Sequence, residues 1–348
     1  MYFHARSSFR ATHRTPTISI FNFFLTIRSM RFPIIPNRRI WYTISLVLTL
    51  ASLASVFALG LNLSLQFTGG TENSYDFASR PDVSAVRDLV IAEAKKFNDA
   101  QGSDETKIDI GTPVVLPSGE KGITLRYRIA DSKKNEAYAD FNVKLRGAME
   151  TTYQAMEMST SSISPSVGNT MKTQAIWATI IASIAIIIYV AWGFRDLPKG
   201  LNPLVFGMNA IIALMHDLLI MLGVFVVLGY FFHVEIGPFF ITAMLTVLGY
   251  SVNDTIVVYD RIRENLQLDK RAHLDKIAEE SVWQTMARSI NTSMTVIITL
   301  ACLLFLGAES IQMFVLALLV GVIVGTYSSI FIAAPLLVTF KAQLIKKK

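Results

Sequence analysis

Long apolar runs alternate with short polar punctuation along this chain, and the length of those runs decides its class. A helix crossing the hydrocarbon core of a bilayer needs about 20 apolar residues. Six stretches meet that requirement, at roughly 41–62, 174–193, 203–230, 236–259, 288–306 and 311–338. Between the first and second the pattern changes: residues 72–171 hold no such run and carry 15 of the 26 acidic residues. The pattern predicts an α-helical polytopic membrane protein with six transmembrane helices and one water-facing domain inserted after the first.

Inside that domain the apolar period switches between two and 3.6. Glu72–Phe77 reads as a short extended segment. Pro81 opens a helix with Asp82 in its first turn and Val83, Val86, Val90 and Phe97 on one face. Lys107–Leu116 reads as a strand, Pro117-Ser118-Gly119 as a turn, and Lys121–Ile129 alternates as a second strand. A helix is expected from about Ser132 to Thr152, capped by Asp131 or Ser132, and Ala155–Ser164 reads as a last strand. The order β-α-β-β-α-β predicts an α+β ferredoxin-like module. It holds no nucleophile–base pair and no phosphate loop, which points to binding or movement rather than chemistry.

Composition agrees with the run lengths. Of the 348 residues, 52% are hydrophobic and only 17% charged, against about 25% charged in ordinary soluble domains. The net charge of +6 reads as an excess on inner loops, not as nucleic-acid binding. Arg38 and Arg39 precede the first run; Arg195 and Lys199 follow the second. Arg261, Arg263, Lys270, Arg271 and Lys276 follow the fourth, and Lys341 and Lys346 to Lys348 follow the sixth. The alternate loops, 230–235 and 307–310, carry no Lys or Arg. This places both termini in the cytoplasm and residues 72–171 outside, with 260–287 as an amphipathic cytoplasmic connector at the membrane surface and 339–348 as a basic tail. The single cysteine, Cys302, excludes an intrachain disulfide, and no His/Cys cluster has metal-ligand spacing. No metal, cofactor or enzymatic activity is expected. Residues 1–30 stand apart: the first 29 hold four arginines and no acid. That is a transit-peptide composition, or an unstructured or mis-started N-terminus ahead of Met30.

Candidate chemistry lies where polar residues interrupt the apolar runs. Asp254 falls in the inner half of the fourth run, with Asn253 and Thr255 beside it. A carboxylate at that depth costs a few kcal/mol, so it needs a partner or a function. Helical spacing puts Tyr250, Asp254 and Arg261 near one face. Arg288, Asn291, Thr292 and Thr295 share a face at the start of the fifth run. If those helices are neighbours, Arg288 meets Asp254 and tunes its ionisation, the basis of a proton relay; the alternative is a static ion pair joining two helices. His216-Asp217, deep in the third run, reads equally as part of a polar pathway or as a local hydrogen-bonded pair. Gly69 and Gly70 follow the first run and offer a hinge or a plain turn. Gly321, Gly325, Ser328 and Ser329 suit close helix packing.

Several stretches together resemble one family. They are "FTGGT" at 67–71, "SPSVG" at 164–168, "ALMHDLLIMLG" at 213–223, "GYSVNDTIVVYDRIREN" at 249–265 and "RSINTS" at 288–293. This set is similar to SecF, the smaller partner in the SecD–SecF accessory complex of the bacterial Sec translocase, over residues from about 35 to the end. The resemblance implies a bacterial plasma-membrane protein that pairs with SecD in an assembly like the RND transporters. It also implies use of the proton-motive force to complete preprotein export after SecA and SecYEG have driven entry. It assigns Asp254 and Arg288 to a proton pathway at the SecD interface, lined by Asn291 and Thr292, with a further carboxylate supplied by SecD. One position departs: Gln66 stands where the family often has Asp. The competing readings are a half-size RND-type exporter of lipids or small molecules, and a membrane scaffold that transports nothing.

Overall fold

The computed structural model describes residues 32–101, 107–129, 134–195, 197, 202–269 and 273–340. The extension 1–30, the cap at Asp131 or Ser132, Lys199, Lys270, Arg271 and the basic tail from 341 lie outside the described residues.

Six helices are long and apolar enough to span a membrane. They are α1 (Arg38–Leu59), α5 (Pro165–Gly193), α6 (Pro203–Phe232), α7 (Pro238–Leu268), α8 (Leu274–Leu306) and a sixth span. That last span comprises α9 (Gln312–Ser328), a π-turn (Ser329–Ala333) and α10 (Ala334–Thr339). Three spans start on proline at the first helical position, where its missing N–H costs nothing and its fixed φ favours the helix. Asn202 also caps α6 by accepting from the Leu204 N–H at 3.1 Å. The π-turn has a local cause. Pro335 cannot donate to the carbonyl four residues back, so the ladder loosens just before it.

α6, α7 and the sixth span form the centre of the bundle and bury about half of their apolar windows, whereas α1 and α5 are mostly outward-facing. α9 packs on α6, α7 and α8. Close approach to α7 is possible because α9 presents Gly321 and Gly325 to Val247 and Ser251.

α7 and α8 continue well past the membrane-length runs, and their extensions pair as a helical hairpin across 260–287. The charged half of the fourth-run motif forms this clasp. Across it, Arg261 donates to Gln284 at 2.5 Å and Asn265 donates to Ser281 at 2.8 Å, while along its own helix Arg261 also donates to Glu264 at 2.5 Å. Glu279 on the same hairpin accepts from the backbone N–H groups of Ile34 and Ile35, at 3.0 and 2.6 Å, and from the Trp283 indole at 2.9 Å. Ile34 and Ile35 are buried, so the segment before α1 is held against α8.

The inserted domain contains α2 (Leu65–Thr68), β1 (Gly70–Asp76), α3 (Val83–Asp99), β2 (Val114–Ser118), β3 (Gly122–Tyr127), α4 (Asn135–Tyr153) and β4 (Met156–Ile163). Its antiparallel sheet has the order β2-β3-β1-β4, with Asn73 opposite Leu125 on one side and Thr160 on the other. This is the split βαβ, ferredoxin-like arrangement. Val86, Val90, Phe97, Ile123, Leu125, Phe141, Leu145 and Met149 form its core between sheet and helices. β2 is later and shorter than the expected 107–116 strand, and it contains Pro117 and Ser118. β2 sits at an edge of the sheet, where proline's missing donor is tolerated.

Candidate functional site

Two carboxylates lie inside the bundle. Asp217 on α6 is 1% exposed and Asp254 on α7 is 7% exposed. Asp217 Oδ2 accepts from Ser251 Oγ of α7 at 2.6 Å and from Ser328 Oγ of α9 at 2.7 Å. Its Oδ1 lies 3.0 Å from His216 Nδ1, a contact that places the proton on Nδ1 when Asp217 is ionised. Asp254 Oδ2 accepts from Ser329 Oγ at 3.2 Å. Ser328 and Ser329 are neighbours at the entry to the π-turn, so one turn of the sixth span touches both carboxylates. Consecutive residues on a helix point about 100° apart, and that divergence sends one hydroxyl to α6 and the other to α7.

The cluster reaches the first span as well. The His216 ring packs against Tyr327, whose hydroxyl lies 3.1 Å from Ser45 Oγ on α1. His216 Nε2 is buried and has no hydrogen-bond partner among the described residues. A separate set joins α7, α8 and α9: Ser293 Oγ accepts from Tyr250 at 3.2 Å and from Thr326 at 2.6 Å.

The residues singled out in the sequence separate into two groups. His216, Asp217, Asp254 and Thr255 are buried in the bundle, although Thr255 spends its hydroxyl on the Ser251 carbonyl. Asn253, Arg288, Asn291, Thr292 and Thr295 are exposed on the outside of α7 and α8. α7 and α8 are neighbours, yet among the described residues no ion pair joins Arg288 to Asp254. Arg261 is engaged in the hairpin clasp, away from Asp254. The sequence reading missed Ser251, Ser328 and Ser329 as partners of the carboxylates. Serine in an apolar run is ambiguous between packing and hydrogen bonding, and the spacing of 217, 251 and 328 carries no local signal.

Gly69 and Gly70 adopt φ of 72° and 145°. A Cβ on Gly69 would lie 2.7 Å from Pro165 Cα, and one on Gly70 would lie 2.5 Å from the Tyr127 carbonyl. Gly168 faces the Phe67 carbonyl just as closely, at 2.8 Å. The "FTGGT" and "SPSVG" stretches are thus two sides of one packed crossing between the α2–β1 corner and the start of α5, where a free hinge would have open space.

Fold and site together define a multi-pass membrane protein of six spans with a ferredoxin-like module outside the bundle and a polar cluster within it. The family model described as "Protein export membrane protein SecD/SecF, C-terminal" matches residues 144–343. The protein translocase subunit SecF of Thermobaculum terrenum is 37% identical over 310 residues, covering 87% of this chain and 92% of that protein. SecF of Desulfurispirillum indicum is 35% identical over 325 residues, covering 91% and 95%. The crystal structure of SecDF from Thermus thermophilus matches with a TM-score of 0.71 at 28% identity, over 90% of this chain and 39% of that longer one. The chain belongs to the SecF family of protein translocase subunits, and its role is in Sec protein export.

Proposed function

We propose that this subunit couples proton movement to the late stage of preprotein export, working with SecD beside SecYEG and SecA, with Asp254 as the titrating group. One observation carries the reading. Asp254 is buried within a membrane-length helix and accepts from the Ser329 hydroxyl, next to a polar stripe of Asn253, Arg288, Asn291, Thr292 and Thr295 that faces outward where lipid would otherwise lie. Polar side chains are costly against hydrocarbon and typically mark a helix–helix contact or an ion path. A partner subunit that covers the stripe encloses a polar channel, and SecD, whose name accompanies SecF in the fused relatives, is that partner here. Arg288 then stands at the mouth of the channel and tunes Asp254 across it without a fixed ion pair. The basic inner loops support an orientation with both termini in the cytoplasm of a bacterial plasma membrane and the ferredoxin-like module outside. The subunit moves protons and polypeptide and catalyses no bond chemistry.

One charge crossing 100 mV releases about 2.3 kcal/mol, so a few protons suffice to drive a domain movement. Asp254→Asn tests the assignment in vesicles containing the SecD complex and an imposed pH gradient. Proton-dependent export is expected to disappear while SecD still co-purifies. Normal export by that variant would support the scaffold reading and refute this one.

A further inference from the structure

A cavity of about 610 Å³ opens where the ferredoxin-like module meets the bundle. Its wall includes Arg87 of α3, Arg126 and Arg128 at the end of β3, Lys172 of α5, and His233 and Glu235 of the α6–α7 loop. The charges do not cancel. Arg126 is spent on Glu72 and Glu235, bridging the module to the loop. Arg87, Arg128 and Lys172 have no carboxylate partner among the described residues, and Arg87 Nε is buried with no hydrogen-bond acceptor. Leaving such a donor unmet inside a protein costs on the order of 1–3 kcal/mol, so the arrangement calls for an anion.

The level of the cavity says which anion. Its floor is formed where three spans emerge: Asn62 and Leu63 follow α1, Lys172 precedes the apolar part of α5, and His233 ends α6. Tyr230 stands exposed at the α6–α7 turn beside the exposed apolar rings of Phe231, Phe232 and Phe239, and an amphipathic tyrosine at the end of an apolar run marks the lipid–water boundary. Phospholipid phosphates lie at that depth. Arginine forks match phosphate oxygens in pairs, and lysine adds a point charge.

We propose that this cavity binds the phosphate of an anionic phospholipid headgroup, with Arg87, Arg128 and Lys172 as its ligands. The bound lipid would tie the module to the membrane surface beside the direct Arg126–Glu235 bridge. The proposal is independent of the role of Asp254, because none of these residues lies near the carboxylate cluster.

The test uses the full chain in neutral detergent, with lipid retention measured by native mass spectrometry after addition of phosphatidylglycerol, phosphatidylcholine or inorganic phosphate. Retention of phosphatidylglycerol but not phosphatidylcholine is expected. The triple variant Arg87→Gln, Arg128→Gln, Lys172→Gln should weaken that retention about tenfold or more, the loss of at least one charge-assisted contact. The charge-conserving variant Arg87→Lys, Arg128→Lys keeps the charges but loses the forks, so it should hold the lipid less tightly than wild type and more tightly than the triple variant, and it controls for folding. Equal retention of the two lipids, unchanged binding by the triple variant, or loss of binding in the charge-conserving one would each overturn the site. Inorganic phosphate competing as well as phosphatidylglycerol at equal concentration would overturn the lipid as its ligand, and so would displacement of the lipid by an acidic peptide at a lower concentration.

Discussion

Gly321→Ala is the smallest change that should disturb the carboxylate cluster from a distance. A Cβ at 321 would sit 2.3 Å from Val247 Cγ2, 2.7 Å from Cγ1 and 3.0 Å from Cβ. The nearest approach falls about 1.1 Å short of ordinary contact at 3.4 Å. Val247 is 1% exposed, and turning its side chain does not relieve the contact with its own Cβ. The helices must therefore separate. Overpacking of this kind costs about 1–3 kcal/mol. Gly321, Gly325 and Ser328 follow one another at i, i+4 and i+7, so a displacement at 321 passes along α9 to the serines that hold Asp217 at 2.7 Å and Asp254 at 3.2 Å. The assay is thermal unfolding in detergent, paired with export in cells that depend on this chain. Val247→Ala alone should cost about 1–2 kcal/mol as a cavity. Combined with Gly321→Ala it removes the 2.3 and 2.7 Å contacts but leaves the Cβ contact at 3.0 Å, so it should restore part of the loss, giving a favourable coupling of about 1 kcal/mol. A Gly321→Ala protein as stable and active as wild type, or a double variant whose losses simply add, would refute the argument that glycine sets the α7–α9 distance.

Two further outcomes follow from the geometry. Ser251→Ala and Ser328→Ala each remove one of two donors to the same oxygen of Asp217; each should cost about 0.6 kcal/mol, the average for hydrogen bonds between membrane helices, and no more than about 1.7, the maximum. The pair together should cost more than the sum, because the second loss leaves that buried oxygen bare, and strict additivity in unfolding measurements would contradict the shared acceptor. Glu235 gives a pH dependence outside the membrane. Burial pushes its carboxyl above the ordinary 4.5, Arg126 opposes the rise and Glu72 adds to it. An acid whose folded pKa is raised contributes stability that is full below its unfolded value and is lost as pH rises through the folded one. Wild type should thus gain in melting temperature relative to Glu235→Gln as pH falls from 7 toward 4.5, and a difference that stayed flat over that window would show that burial does not dominate there.

Much of the membrane body was legible in the sequence because a bilayer imposes a length rule on every span. The six runs and the acidic insert are fixed by that rule and by the periods of two and 3.6 within it. So were the polar residues that matter at depth, since Asp217 and Asp254 stand out against an apolar background whatever they touch. The insert's last strand and second helix were readable from alternation and from an amphipathic stripe. β2 was not, because its pairing with β3 depends on the register of a sheet edge and not on its own composition.

What the sequence determined by itself is that two carboxylates are carried into the membrane, one beside a histidine, and that a basic residue begins the next span. Only the tertiary structure decided their partners. Arg288 projects from the outside of α8 and forms no ion pair with Asp254, while two adjacent serines at the entry to a π-turn, 111 and 75 residues along the chain from the carboxylates they touch, reach one each. The physical reason is that helical periodicity states which side chains share a face of one helix but carries no information on which helix that face meets. That choice is made by the close approach of α9 to α7 at Gly321 and Gly325, and by the backbone turn that Pro335 loosens.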